Sequence, residues 1–208
     1  MTGYDHEVVG GHAALDFVNS VHDWTEAEPR DYLTGFDQAL GLGETVGLLT
    51  RSESRPLAGR AGDRELREMQ ALRELRARLA RIFRGVVGSR APAATDLDAL
   101  ARDAARAASA ATLGAERGRV VRRIDASRAG VTTLRLRIVE SAVALLTSPD
   151  LERVKACPGC GWFFLDDTKN GSRRWCSMRA CGSLAKARRY YRRKRSANGR
   201  RRRPFEAP

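Results

Sequence analysis

The sequence predicts a mainly α-helical protein: a helical N-terminal domain over residues 1–150, a small cysteine-bearing module over 151–196 and a disordered basic tail over 197–208. Three observations lead there. Apolar residues recur at three- and four-residue steps through much of the first part, which is the period of a helix and not of a strand. All four cysteines lie between Cys157 and Cys181. The charge is also divided. Residues 1–150 hold 21 Arg and 21 acidic side chains, whereas residues 151–208 hold 17 basic and 4 acidic ones, so the second part supplies the whole net charge of +13. A neutral body with a cationic end is the footprint of a protein that meets a polyanion.

The first helix is expected in "GGHAALDFVNSVHDW", where Ala14, Val18 and Val21 share a stripe flanked by Leu15 and Phe17. His12, Asp16, Asn19 and Asp23 fall on the opposite stripe. That polar stripe is either a solvent-facing side or the polar wall of a small-molecule pocket, with His12, Asp16 and Asn19 as its ligand-binding residues. "GFDQALGLGETVGLL" is a second helix weakened by its glycines, and "RSESRPLAGRAG" reads as a loop. The longest helix runs from Asp63, a plausible N-cap, to about Val87, with Gly85 or Gly88 at its end. Leu66, Met69, Leu72, Leu75, Leu79, Ile82, Phe83 and Val86 form its apolar stripe. Thr95 and Asp98 form a capping-box-like pair ahead of an alanine-rich helix. "GRVVRRID" is a short strand or connector, and "TTLRLRIVESAVALLTSP" is a helix that ends before Pro149.

The cysteines are spaced C-x2-C-x15-C-x4-C: Cys157, Cys160, Cys176 and Cys181. A C-x2-C turn brings two sulfurs onto one ion, and Pro158-Gly159 suits that turn. The aromatic run Trp162–Leu165 is expected to form a hairpin with "RRWC" across Asn170-Gly171. The second cysteine pair then opens a helix. A knuckle, a hairpin and a ligand-bearing basic helix make a treble-clef-like zinc finger. It would hold one structural zinc ion per chain and keep no position open for catalysis. A unit this small and polar needs such a cross-link to fold.

On a wheel from Gly182, Leu184, Ala187 and Tyr191 share one face, and Lys186, Arg189 and Arg193 the other, with Arg192 nearby. The expectation is an apolar face packed on the metal module and a basic face offered to double-stranded DNA, where arginines reach phosphates or guanine edges. Arg173 and Arg174 beside Trp175 would add backbone contacts. The "RRRR" at 200–203 would add sequence-independent attraction.

At these residues the sequence resembles the CGNR zinc-finger family of bacterial transcription regulators. The likeness rests on Cys157, Cys160, Trp175-Cys176-Ser177-Met178, Cys181-Gly182, Lys186 and Arg189. "GGHAALDFVNS" is similar to the start of the helical ABATE domain that precedes the finger in that family. The signature Cys-Gly-Asn-Arg stands here as Cys181-Gly182-Ser183-Leu184. The resemblance implies a zinc-dependent DNA-binding regulator.

The leading reading is therefore a transcription regulator whose N-terminal domain serves sensing or assembly, with room for a small-molecule effector and for a homodimer reading two half-sites. An RNA- or ribosome-associated zinc protein is the alternative within the binding class. An enzyme is the reading from another class, but the chain has no GxSxG, P-loop or GxGxxG and no cysteine outside the finger. No signal peptide or membrane span is read, and a cytoplasmic, nucleoid-associated protein is expected.

Overall fold

A computed structural model describes residues 4–200, with backbone alone for 196–200. Its helices are α1 (Ala13–Val18), α2 (Phe36–Thr45), α3 (Arg51–Ser54), α4 (Asp63–Val87), α5 (Ala94–Ala110), α6 (Ala126–Ala129), α7 (Thr133–Leu146) and α8 (Ser183–Arg200). Two antiparallel hairpins join them: β1 (Ala111–Glu116) with β2 (Arg119–Ile124), and β3 (Val154–Ala156) with β4 (Phe163–Leu165). The expected mainly α architecture with a terminal cysteine module is what forms. Of the expected tail, 197–200 continue α8 and 201–208 lie outside the described residues. No helix among the described residues is long and apolar enough to cross a membrane.

The core is organised around α1. This helix is short because the chain turns at Asn19, yet Ala14, Leu15, Asp16, Phe17 and Val18 are all buried. A helix covered on every side belongs at a centre, and α1 packs against α4, α7 and β4. α4 contributes Met69, Leu72, Leu75, Leu79, Ile82 and Phe83, and α7 contributes Leu134, Ile138, Val139, Ala142 and Leu145. Gly62, not Asp63, is the N-cap of α4, and its N–H donates to the Glu65 carboxylate at 3.1 Å. Leu66 is exposed despite its place in the expected stripe. The buried face there runs through Glu65 and Glu68 instead, the second of which receives a two-pronged ion pair from Arg135.

Three local readings change. At the start of the expected loop, Thr50 just before it and Glu53 within it build a capping box that starts α3. α5 begins at Ala94, so Thr95 already lies inside the helix, the expected Thr95–Asp98 box does not form, and the N-cap Ala93 has no side chain that could cap. The alanine run also stops at Ala110, and β1 turns back into β2 through Arg117-Gly118. Both of these residues have positive φ (49° and 75°), the turn that matches strand twist.

The hairpin in the cysteine module has a different partner from the expected one. β4 pairs with β3, upstream of the knuckle, in the register Ala156↔Phe163, Lys155↔Phe164 and Val154↔Leu165. The knuckle itself reverses the chain, closed by the Cys157 N–H on Trp162 O at 2.7 Å. Residues 166–173 instead wrap around the buried Asp166 carboxylate, which accepts from Thr168, from the Arg173 N–H and from Lys155. Burial alone would raise the pKa of Asp166, but the Lys155 ammonium and these donors hold it well below the usual carboxylate range.

The outer edge of β4 meets the helical domain and no third strand. The Asn19 carboxamide donates to Phe163 O at 2.7 Å and accepts from Phe163 N at 2.9 Å, and Leu165 N donates to Gly10 O at 2.8 Å. The Phe163 ring sits in the main core, 5.8 Å from Phe83 between ring centres. Asn19→Ala should therefore leave two buried backbone groups unpaired and cost about 2–4 kcal/mol. Denaturant unfolding of the zinc-loaded chain measures this, and a loss below about 1 kcal/mol would deny Asn19 that role.

Arg137 ties α7 to the capping box, donating to the Glu53 carboxylate and to the carbonyls of Leu48 and Ile124. The hydrogen bond from Arg137 holds the Glu53 pKa at about 2, below its ordinary 4.5. A depressed carboxylate contributes stability above its unfolded pKa and loses it as pH falls through the folded one. The melting-temperature gap between the parent and Glu53→Gln should thus be full at pH 6 and shrink between about pH 4.5 and pH 2. A gap independent of pH would mean that the pair contributes nothing through charge.

Candidate metal centre and basic helix

The four sulfurs of Cys157, Cys160, Cys176 and Cys181 all lie within 4.8 Å of one another, and none is in a disulfide. Cys160 and Cys176 are 3.5 Å apart, and Cys176 and Cys181 are 3.7 Å apart. Sulfurs bound tetrahedrally at about 2.3 Å from zinc stand about 3.8 Å from each other. The spacing is that of ligands to one ion, far longer than an S–S bond. Cys157 and Cys160 come from the knuckle between β3 and β4. Cys176 follows the Asp166-centred loop, and Cys181 lies in a wide helical turn, Met178–Gly182, that leads into α8. Ser177 caps that turn through Ala180 N.

Four thiols this close cannot all ionise unaided. Hydrogen bonds from Cys160 and then Cys176 support the Cys157 thiolate and hold its pKa far below the ordinary thiol range. The bond to Cys157 pushes Cys160 far up and Cys176 up to about 12, and burial raises Cys181. A divalent cation removes that conflict by neutralising all four at once. The donor set fits one structural zinc ion, with every position taken by sulfur.

The helical domain supports the knuckle directly. Trp24 N donates to Cys160 O at 2.9 Å, and Trp162 Nε1 donates to Val21 O at 2.9 Å. Gly161 has φ +71° and lies against Trp24, where an added Cβ would stand 2.9 Å from the Trp24 Cβ. A side chain there is both strained and blocked.

The structure separates the expected site residues into different roles. Asp16 and Asn19 line neither the groove beside α8 nor the clefts of about 680 and 700 Å³ on the helical domain. Asp16 is buried, accepts from Gly10 N at 2.7 Å and has its pKa raised by burial, while Asn19 is spent on Phe163. His12 is the N-cap of α1, its Nδ1 facing Ala14 N at 3.4 Å. The expected ligand-binding stripe is therefore a set of structural hydrogen bonders. Arg173 is likewise withdrawn from any DNA face. Its guanidinium donates to the carbonyls of Val9, Leu165, Trp175 and Cys176 and lies over Phe164 at 4.6 Å. Arg174 is exposed and lies over Trp175 at 5.7 Å. Lys186, Arg189, Arg192 and Arg193 are exposed on α8.

The expected packing of the apolar face of α8 does not occur. Leu184 and Tyr191 are 51% and 63% exposed, and α8 rests chiefly on the Met178–Gly182 turn. Between α8 and the knuckle runs a groove of about 670 Å³. Its floor includes Pro158, Trp175 and Leu184, and Arg188, Arg192 and Arg195 stand along it. Arg188 and Arg195 escaped the sequence reading because they sit on the side assigned to packing. Their spacing of four and eleven from Leu184 was the available signal.

A helical domain whose side chains brace a four-cysteine centre defines a zinc finger built onto a helical body. A family model described as "Putative stress-induced transcription regulator", the ABATE domain, matches residues 11–149, and a CGNR zinc finger model matches residues 153–194. The chain belongs to the ABATE family and carries a CGNR zinc finger. No curated protein matches it.

The purified chain should carry one zinc per molecule, released by a strong chelator together with the fold of residues 151–195. Cys176→Ser should lose the metal. Because β4 completes the core around α1, the variant should also lower the melting temperature of the helical domain. Metal analysis without zinc, with two disulfides found by mass, would remove this centre.

Proposed function

We propose that the protein is a transcription regulator that binds double-stranded DNA through α8 and takes its regulatory input on the helical domain. The observation that carries the DNA half is the state of α8. From Ser183 to Arg195 it bears seven basic residues and no acid, and all seven of those side chains are exposed. A helix of 18 residues spans about 27 Å and is slim enough for a major groove about 12 Å wide. The zinc-held turn fixes its base, so the charges are presented in one orientation instead of on a loose tail. This reading places the protein on the nucleoid.

Changing Lys186, Arg189 and Arg193 together to Ala should weaken DNA binding and leave zinc content unchanged, because all three are exposed and the four ligands are cysteines. Each phosphate that is no longer neutralised should reduce the slope of log K against log salt by about 0.9. Fluorescence anisotropy on duplex DNA across a salt series measures both. Unchanged affinity and slope would overturn the assignment, and structured RNA outcompeting duplex DNA at equal salt would replace DNA with RNA.

A further inference from the structure

The helical domain is neutral as a whole but not evenly so. A cleft of about 700 Å³ opens between the start of α4 and the α6–α7 connection. Arg60, Arg64 and Arg67 stand on one wall and Arg128 on the other, brought together from segments some 60 residues apart. All four are exposed, and none makes an ion pair or side-chain hydrogen bond among the described residues. Elsewhere in the domain, several arginines are matched by acids: Arg76 with Asp31, Arg78 with Asp103, Arg81 with Asp96 and Arg137 with Glu53.

The acids of this cleft are already engaged. Glu68 is buried under the Arg135 fork, and Glu65 caps Gly62. Arg64 and Arg67 also lie in the first two turns of a 25-residue helix, where the macrodipole already places positive potential and a cation is disfavoured. Guanidinium groups outside any ion pair, lining two walls of a concave, partly apolar space that includes Leu57, are a receptor for negative charge, with Asp125 acting on the Arg128 guanidinium only through its field. The volume is that of a small-molecule site.

We infer that this cleft binds a small multivalent anion, a phosphorylated or polycarboxylate molecule, held between Arg64 and Arg67 on one side and Arg128 on the other. It deepens the regulatory half of the proposed function and does not require that the protein bind DNA. A ligand bridging the two walls ties α4 to the segment that leads into α7, the two helices against which α1 packs. It would thus stiffen the body that holds the finger.

The test is the melting temperature of the full-length zinc-loaded chain with inorganic pyrophosphate, and separately with tricarballylate, against sodium chloride at equal ionic strength. At a hundredfold excess over Kd, a bound probe raises Tm by about 5–10 °C. The probe that acts tells phosphate from carboxylate. The shift should vanish in Arg64→Ser/Arg128→Ser and persist when Lys186, Arg189 and Arg193 are Ala. Both cleft positions are exposed and unpaired, so the unliganded Tm should hold. Were it to fall, the exposed Arg67→Ser alone carries the same test. A shift absent from the unaltered protein with both probes, retained by the cleft variant, or abolished in the α8 variant overturns the inference. None of these readings involves DNA, so its failure and that of the DNA assignment are told apart.

Discussion

The carboxamide of Asn19 bonded to both backbone groups of Phe163 is the contact on which the rest depends. A hairpin of three residues per strand cannot stand alone in water. Here zinc-binding cysteines close one end of it, and the outer edge of β4 is satisfied by a side chain and by Gly10 O where another strand would otherwise be needed. Asp16 holds the Gly10 segment in place, and Arg173 grips the neighbouring Val9 carbonyl from the other direction. The finger is thereby built into the helical domain, and Phe163 serves the core of one and the backbone of the other.

Much of this was legible in the sequence. The apolar periods of α4 and α7 and the four-cysteine spacing point to the elements and the metal donors directly, because those patterns carry their own physics. The polar stripe of α1 was not legible. A helical wheel cannot distinguish Asp16 facing water from Asp16 facing an unpaired amide, nor show that Asn19 meets a strand edge 144 residues away. The β4 pairing was hidden for a related reason. Asn170-Gly171 is a good turn signal, but the buried Asp166 carboxylate recruits the surrounding N–H groups first. α8 failed in the opposite sense, since an apolar face on a wheel says nothing about whether a partner is there to cover it.

The same holds for charge. Arg76, with its fork on Asp31 and a bond to the carbonyl of Ser20, is nearly buried and belongs to the scaffold. Arg173 has the sequence context of a basic patch and is a brace for four carbonyls. Composition counts these with Lys186 or Arg64, although only the latter kind has charge left over for a partner. Net charge by segment located the cationic end correctly because α8 has no acids at all. It hid the cleft, because acids elsewhere in residues 1–150 cancel its arginines in the sum but not in space.

The connection between the two parts sets how a signal could pass from one to the other. α7 ends at Leu146, a single tight turn over Pro149–Arg153 follows, and β3 begins at Val154. No flexible linker intervenes, and the knuckle is bonded to Trp24 and Val21. A finger fixed at both its chain entry and its knuckle cannot swing as an independent domain without breaking buried hydrogen bonds, each worth about 1 kcal/mol or more. Under the proposed function, a regulatory signal would therefore have to act on the whole body: by moving α1 and the finger together, by changing how firmly the body holds the turn beneath α8, or by arranging two bodies side by side. Of the segments that meet the finger, α1 is the one packed by both α4 and α7. Under the proposed function, an event that draws those helices together would reach β4, and so the finger, through the Asn19–Phe163 contact.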